Sequence, residues 1–129
     1  MILDASAILE LLLGSVPGRK LAERLRSPEI QLHAPHLVDL EVAQAIRRYV
    51  LSGQLSEKRG RVALQVLADL DLERHPHSLF LPRIWALREN LTAYDAAYVA
   101  LAEVMDAPLL TSDRRLAAAP GTRARIELL

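Results

Sequence analysis

The sequence predicts an α/β fold in which a short, mainly parallel β-sheet is covered by helices. Two runs, Met1-Ile2-Leu3 and Leu109-Leu110, contain no polar residue, as is typical of strands that are buried on both faces. Segments with helical character alternate with the strand candidates, which favours helices packed on a parallel sheet. Hydrophobic residues make up 51% of the chain but aromatic residues only 4%, so Leu, Val, Ile and Ala must form the core.

The first half of the chain divides at its glycine and proline residues. The apolar run at residues 1–3 ends at Asp4 and precedes a helix from Ala5 to Leu13, which Gly14 ends. Downstream, the pattern predicts a helix over 19–26, a strand over 31–35 and a long helix over 36–51.

The second half alternates in the same way. Ser56 is a good N-cap for a helix that extends to Asp71, and we expect its apolar face to consist of Val62, Leu64, Val66, Leu67 and Leu70. Pro76 predicts that a strand over 72–77 lies at an edge of the sheet or ends there. The remaining predicted elements are helices over 79–88, 92–105 and 114–119 and strands over 108–113 and 126–129.

Length and composition limit the classes of protein. With 129 residues the chain is expected to form a single domain over residues 1–129. Sixteen basic and sixteen acidic residues cancel, so net charge favours neither nucleic acid nor membrane as a partner. The absence of cysteine excludes disulfides and thiolate metal sites. Asp4 and Glu10 interrupt the apolar N-terminus, so we expect no signal peptide and a cytoplasmic location.

Four acidic residues have no cation nearby in the sequence that would explain them. Asp4 and Asp113 follow strand candidates, and ligands of open parallel sheets bind beyond the carboxyl ends of the strands. Asp95 lies in an apolar helix, where a buried carboxylate requires a partner. Glu41 lies on the border of an apolar helical stripe. The residues three and four positions later, Gln44 and Ala45, carry no positive charge and cannot form a salt bridge with it.

Each acid also has a purely structural interpretation. Asp4 and Asp113 could be N-caps, Asp95 could complete a capping box opened by Thr92, and Glu41 could lie on a solvated flank. Taken together, the four positions favour one shared pocket, because two strand ends and two helices each carry an acid where a single pocket could collect them. Several acids brought together repel one another unless a cation binds them.

Four short motifs carry a resemblance to a known family. They are Asp4-Ala5-Ser6, Leu40-Glu41, Thr92-Ala93-Tyr94-Asp95-Ala96 and Thr111-Ser112-Asp113-Arg114-Arg115-Leu116-Ala117. In order, spacing and chain length they resemble the motifs of the PIN domain, and specifically those of the VapC toxins of type II toxin–antitoxin pairs. The resemblance implies a PIN-like three-layer sandwich, in which a short, mainly parallel sheet is flanked by helices.

The resemblance also implies a metal-dependent endoribonuclease. Asp4, Asp95 and Asp113 would be ligands of Mg²⁺ or Mn²⁺, and Glu41 would complete the metal site or help to activate water. Hard divalent cations prefer such carboxylate oxygens, which agrees with this chemistry. The supporting residues that orient carboxylates or substrate would be Ser6, Thr92, Thr111 and Ser112.

One position departs from the family pattern. Many relatives carry a further acid or amide two positions after the last aspartate, where this chain has Arg115. A second metal ion is therefore in doubt, and mechanisms with one or two ions both remain open. Arg88, Arg114 and Arg115 are the candidate contacts to RNA phosphates.

The implied partners are an RNA substrate, a cognate VapB-type antitoxin and a second copy of the chain, with no membrane. The family's antitoxins cover the acidic pocket and often insert an arginine, which could replace the charge of the metal. The alternative is a non-catalytic PIN-like module that binds RNA or protein. Zinc binding by His33, His36, His75 and His77 is not expected, because both pairs flank prolines in predicted connecting segments and lack cysteine partners.

Overall fold

A computed structural model describes all residues 1–129 and contains a five-stranded sheet with the order β3-β2-β1-β4-β5. Every pair of neighbouring strands is parallel, so the predicted α/β class is confirmed and the sheet is wholly parallel. The strands are β1 (Ile2–Leu3), β2 (Leu32–Pro35), β3 (Leu72–His75), β4 (Leu109–Thr111) and β5 (Ile126–Leu128).

Seven α-helices flank the sheet, and a 3₁₀ turn over His77–Phe80 precedes the fifth of them. They are α1 (Ala5–Leu13), α2 (Val16–Arg24), α3 (Val38–Leu51), α4 (Glu57–Asp69), α5 (Leu81–Ala86), α6 (Ala93–Met105) and α7 (Arg114–Ala117). Helix α1 packs against α2, α3 and α4, whereas α6 packs against α5 and against β1, β2 and β4. None of these helices has the length and hydrophobicity that a membrane-spanning segment requires.

The order of the strands places the end of β1 beside the end of β4. The chain moves from β1 to β2 on one side, and later returns to pair β4 with the other side of β1. Leu3 is in register with Leu110, and the backbone N–H of Asp4 donates to Leu110 O at 3.1 Å. Such a reversal of strand order opens a crevice at the carboxyl ends of the strands, which is where Asp4 and Asp113 lie.

Helix α2 begins earlier than the sequence pattern predicted. Ser15 caps it by accepting a hydrogen bond from the backbone N–H of Gly18 at 3.0 Å, and Pro17 occupies its first turn. Proline is tolerated there because its missing N–H has no partner within the helix. Gly18 is required for contact with α1, since a Cβ at this position would lie 1.9 Å from Glu10 O.

The predicted apolar face of α4 is confirmed at Leu67 and Leu70, which pack in or against the core, but it was wrong at Val62, Leu64 and Val66. Its buried residues are Gly60, Ala63 and Leu67, whereas Val62 and Val66 are exposed. A Cβ on Gly60 would lie 2.9 Å from a methyl carbon of Val50, so small residues allow α4 to approach α3 closely. Close packing against α3, rather than the positions of the largest apolar side chains, therefore determines which face of α4 is buried.

The core is aliphatic, as the composition predicted. Twenty-three buried residues form one hydrophobic cluster that includes both residues of β1 and five residues of α6. The apolar stripe of α3 consists of Val38, Val42, Ala45 and Ile46, all of which are buried. Three polar residues, Asp4, His33 and Thr111, are buried among these side chains.

Candidate active site

The four acids singled out in the sequence line one cavity of about 260 Å³ at the carboxyl ends of β1 and β4. Asp4 and Asp113 directly follow these strands, Glu41 comes from α3, and Asp95 comes from the first turn of α6. Besides the acids, the cavity is lined by Ala5, Ser6, Leu9, Ala45, Arg48 and Tyr98. Elements distant in sequence therefore contribute carboxylates to a single space.

Asp4 is the most buried of the acids, with 5% of its surface exposed. Its Oδ1 accepts hydrogen bonds from the backbone N–H of Ala7 at 2.8 Å and from the hydroxyl of Ser6 at 2.7 Å. Its Oδ2 accepts from the hydroxyl of Thr111 at 2.5 Å. Asp4 is thus an N-cap of α1 and a lining residue of the cavity at once. Burial raises the pKa of its carboxyl group, although these hydrogen bonds oppose the rise.

Ser6 and Thr111 connect the ends of β1 and β4 behind the cavity. The backbone N–H of Asp113 donates to Thr111 Oγ1 at 2.9 Å, and the backbone N–H of Ser112 donates to Ser6 Oγ at 2.8 Å. Both hydroxyl groups also donate to Asp4. The two residues therefore set the positions of Asp4 and Asp113 relative to each other. The hydroxyl oxygen of Ser112 is buried without a hydrogen-bond partner.

Asp95 is partly exposed rather than buried, and its hydrogen-bond partner is local. Thr92 caps α6 by accepting from the backbone N–H of Asp95 at 3.1 Å. The same hydroxyl donates to Asp95 Oδ2 at 2.9 Å. The predicted N-cap is confirmed, and Thr92 also restricts the direction of the Asp95 carboxylate.

Glu41 is held by Tyr98 of α6, a residue that the sequence analysis did not identify as part of the site. The hydroxyl of Tyr98 donates to Glu41 Oε1 at 2.9 Å, and only 1% of Tyr98 is exposed. Burial raises the pKa of Glu41, the hydrogen bond from Tyr98 lowers it, and the nearby Asp95 and Asp4 raise it further. The pKa of the Tyr98 phenol is raised, first by burial and then by Glu41. Tyr98 therefore stays a protonated donor.

The donor set of the cavity suits a hard divalent cation. Four carboxylate side chains face the space, and for both Asp4 and Glu41 the charge of Asp95 raises the pKa. Arg48 is the only basic residue that lines the cavity, and it forms no salt bridge with these acids. Oxygen-rich sites with excess negative charge favour Mg²⁺ or Mn²⁺ over softer metals.

Comparison with known proteins agrees with the fold and the motifs. Residues 1–121 match the sequence profile of the PIN domain. This chain belongs to the PIN-domain family. Ribonuclease VapC1 of Mycobacterium tuberculosis is 46% identical over 132 residues, which cover 99% of this chain and 96% of the relative. Ribonuclease VapC12 of the same species is 42% identical over 129 residues, covering 100% and 98%.

Two solved structures share the architecture of this PIN domain. PAE2754 from Pyrobaculum aerophilum matches with a TM-score of 0.71 and 26% identity, covering 97% of this chain and 81% of the other. A chain of a toxin–antitoxin complex from Klebsiella pneumoniae matches with a TM-score of 0.64 and 23% identity, covering 98% and 94%. The resemblance to a VapC-type PIN domain is therefore confirmed over nearly the whole chain.

The arginines expected to contact phosphate do not line the cavity of the PIN domain. Arg88 lies over the ring of Trp85, with its guanidinium carbon 4.8 Å from the ring centroid. Arg114 is exposed at the start of α7. Arg115 is 96% exposed, and its Nε lies 4.0 Å from Asp113 Oδ1. Arg115 therefore stands beside the site but points mainly to solvent.

The basic residue that sequence reasoning missed is Arg48. It lies seven positions after Glu41 on α3, so about two helical turns place both side chains on one face, with Ala45 between them. This i, i+7 spacing is visible in the sequence. Gln44 and Ala45, three and four positions after Glu41, carry no charge, so the spacing of two turns is the signal that identifies Arg48.

Proposed function

We propose that this chain is a metal-dependent endoribonuclease that acts as the toxin of a toxin–antitoxin pair. The convergence of Asp4, Glu41, Asp95 and Asp113 on one cavity is the observation that carries the proposal. The names of its relatives, Ribonuclease VapC1 and Ribonuclease VapC12, support RNA as the substrate. We further propose that residues 1–129 act as one PIN domain in the cytoplasm.

In the proposed site Asp4, Asp95 and Asp113 hold Mg²⁺ or Mn²⁺, and Glu41 completes the ligand set or assists the attacking water. The bound ion would stabilise negative charge on the phosphate and make water easier to ionise. The protein supplies the orientation of the groups around it. The hydroxyl groups of Ser6 and Thr111 both donate hydrogen bonds to Asp4. They also accept hydrogen bonds from the backbone N–H groups of Ser112 and Asp113, respectively, and so help to position Asp113.

Two further side chains have proposed roles in this chemistry. Tyr98 holds Glu41 through a hydrogen bond of 2.9 Å, and Thr92 does the same for Asp95 at 2.9 Å. Arg48, at the wall of the cavity, is the better candidate than Arg88 for contact with a phosphate of the RNA. Arg114 and Arg115, which flank the site in solvent, would contact phosphates farther along the strand. With Arg115 in place of an acid, we propose a single metal ion.

The proposed protein partners follow from the charge and the surface of the chain. A cognate VapB-type antitoxin with an arginine could neutralise the carboxylates, because a guanidinium binds such groups through paired hydrogen bonds. A homodimer is also proposed, and the exposed side chains of Leu79, Leu81 and Trp85 supply apolar surface for association.

The test is incubation of the purified chain with total RNA and either Mg²⁺ or Mn²⁺. Cleavage is expected with either ion and is expected to stop with EDTA or in the Asp95→Asn variant. Asp69→Asn is the matched control, because Asp69 is an exposed acid on α4 outside the cavity. Cleavage that survives EDTA would contradict the metal mechanism. RNA binding without cleavage of any RNA would favour the non-catalytic module.

A further inference from the structure

We propose a second metal site, formed by His33, Glu73 and His75 at the edge of the sheet, for a borderline transition metal such as Zn²⁺. His33 lies on β2, and the other two residues lie on the edge strand β3. His33 and His75 lie within the strands predicted over 31–35 and 72–77, so the expectation that these two histidines lie in connecting segments was wrong. Their elements are neighbouring strands, which hold side chains at fixed spacing.

Strand register brings the three side chains to one face of the sheet. His33 is the Cα partner of Glu73, and His75 follows Glu73 by two residues. Side chains two apart on a strand share a face, so Glu73 and His75 point to the same side. Arg74, between them, donates to Asp39 of α3 and to the backbone carbonyl of Leu67 in α4, so it occupies the opposite face. The three candidate ligands therefore lie away from α3 and α4.

The distances between the ligand atoms agree with a small metal ion. Nδ1 of His33 lies 3.1 Å from Nε2 of His75 and 3.3 Å from Oε2 of Glu73. Oε1 of Glu73 lies 3.9 Å from Nε2 of His75. A tetrahedral Zn²⁺ with bonds of about 2.0–2.1 Å separates its ligand atoms by about 3.3 Å. The three ligand atoms are therefore spaced close to what a tetrahedral site requires.

Burial holds two of the ligands in place and leaves the third accessible. The side chain of His33 is only 7% exposed and that of His75 is 23% exposed, whereas that of Glu73 is 65% exposed. Two imidazole nitrogens at 3.1 Å share one proton when no metal is bound. A metal ion would bind the lone pairs of both nitrogens, and the proton between them would move through solvent to the other nitrogen of its own ring. Glu73 would close the site from the solvent side.

The proposed site is separate from the acidic cavity and has different chemistry. None of its three residues lines the cavity that contains Asp4 and Asp95. Imidazole ligands suit Zn²⁺, Cu²⁺ or Ni²⁺, whereas sites of carboxylates alone suit Mg²⁺ and Mn²⁺. A metal between β2 and β3 would fasten the edge strand to the sheet. Binding to the folded chain alone would raise its stability.

The experiment titrates the full chain with Zn²⁺ in competition with a chromophoric chelator, while excess Mg²⁺ is present. One equivalent of Zn²⁺ is expected to bind and to raise the melting temperature. Glu73→Gln and His75→Ala are each expected to weaken Zn²⁺ affinity at least about tenfold. Glu73→Gln keeps its shape at an exposed position, so its melting temperature without Zn²⁺ should match the unaltered chain.

Matched controls separate this site from other sources of zinc binding. His36→Ala and His77→Ala remove exposed histidines outside the cluster and should leave the affinity unchanged. Asp95→Asn should also leave it unchanged. Absence of Zn²⁺ binding would overturn the proposal. Binding that is lost in Asp95→Asn but kept in Glu73→Gln and His75→Ala would assign the zinc to the acidic cavity and would equally overturn it.

Discussion

The hydroxyl of Tyr98 donates to Oε1 of Glu41 at 2.9 Å, and this is the only side-chain hydrogen bond that the Glu41 carboxylate accepts. The contact joins α6 to α3 across 57 positions of sequence. Both groups line the acidic cavity. A phenol held in this way fixes one oxygen of the carboxylate and leaves the other free for a ligand.

Replacing Tyr98 by Phe should therefore reduce RNA cleavage by about 10–100-fold while the chain stays folded. The same change should move the acidic limb of the pH–rate profile to higher pH, because the lost hydrogen bond had lowered the pKa of Glu41. Tyr94→Phe is the matched control, since Tyr94 is 64% exposed on the same helix. Equal rates for the two variants would contradict a positioning role.

Thr92 is expected to act through its hydroxyl group. Thr92→Ala should cost about 1 kcal/mol of stability, because α6 loses its N-cap. It should also slow cleavage, because Asp95 loses the donor at 2.9 Å. Thr92→Ser keeps the hydroxyl and should restore both properties. Urea denaturation and cleavage rates of the unaltered chain and the two variants measure both effects. If Thr92→Ser did not restore cleavage, loss of the hydroxyl group would be excluded as the cause of the slower rate.

Magnesium should stabilise the folded chain if the acids share one ion. Binding at 100 times the dissociation constant adds about 2.7 kcal/mol to the free energy of unfolding. The melting temperature should rise by several degrees in Mg²⁺, and Asp4→Asn or Asp95→Asn should abolish most of that rise. Asp69→Asn should retain it in full. A melting temperature independent of Mg²⁺ would indicate that the acids are only caps.

Arg48 should contribute to RNA affinity. Arg48→Ala should weaken binding of a non-cleavable RNA and reduce the dependence of log affinity on log salt by about one unit. Arg47→Ala is the matched control, because Arg47 is exposed on α3 and does not line the acidic cavity. Fluorescence anisotropy at several salt concentrations measures both slopes. Identical slopes for the two variants would remove Arg48 from the RNA site.

Glu103 should make stability depend on pH. Arg83 donates to both of its oxygens, at 2.7 and 2.9 Å, and these bonds hold the pKa of Glu103 below its ordinary value of 4.5. A lowered folded-state pKa adds stability that is fully present above pH 4.5 and is lost as pH falls through the folded value.

Glu103→Gln should thus lower the free energy of unfolding by about 1–3 kcal/mol at neutral pH, and the difference should shrink below pH 4.5. Urea denaturation over a pH series measures it. Glu57→Gln is the control, since its exposed pair with Arg61 should contribute less than about 0.5 kcal/mol. A loss in Glu103→Gln that is equal at every pH would exclude the ion pair as the cause.

The sequence by itself determined the class of fold and the N-caps of two helices. Ser56 and Thr92 were predicted as N-caps and are N-caps, because capping depends on a backbone N–H only two or three residues away. The apolar runs predicted β1 and β4 because such a run is also a local property of the chain. Because parallel strands end at a common edge, Asp4 and Asp113 could also be expected to lie close together.

Only the tertiary structure decided which side chains from different elements meet. The contact between Tyr98 and Glu41 depends on how α6 packs relative to α3. The contact between His33 and His75 depends on the register of β2 and β3. No spacing in the sequence encodes either of them. Arg48, rather than Arg88, lines the cavity because the rotation of α3 is set by burial of its apolar stripe. The physical reason is the sequence separation of the interacting residues. Helix caps and apolar strand runs depend on residues that are close in the chain, whereas a site depends on how distant elements pack against one another around the core.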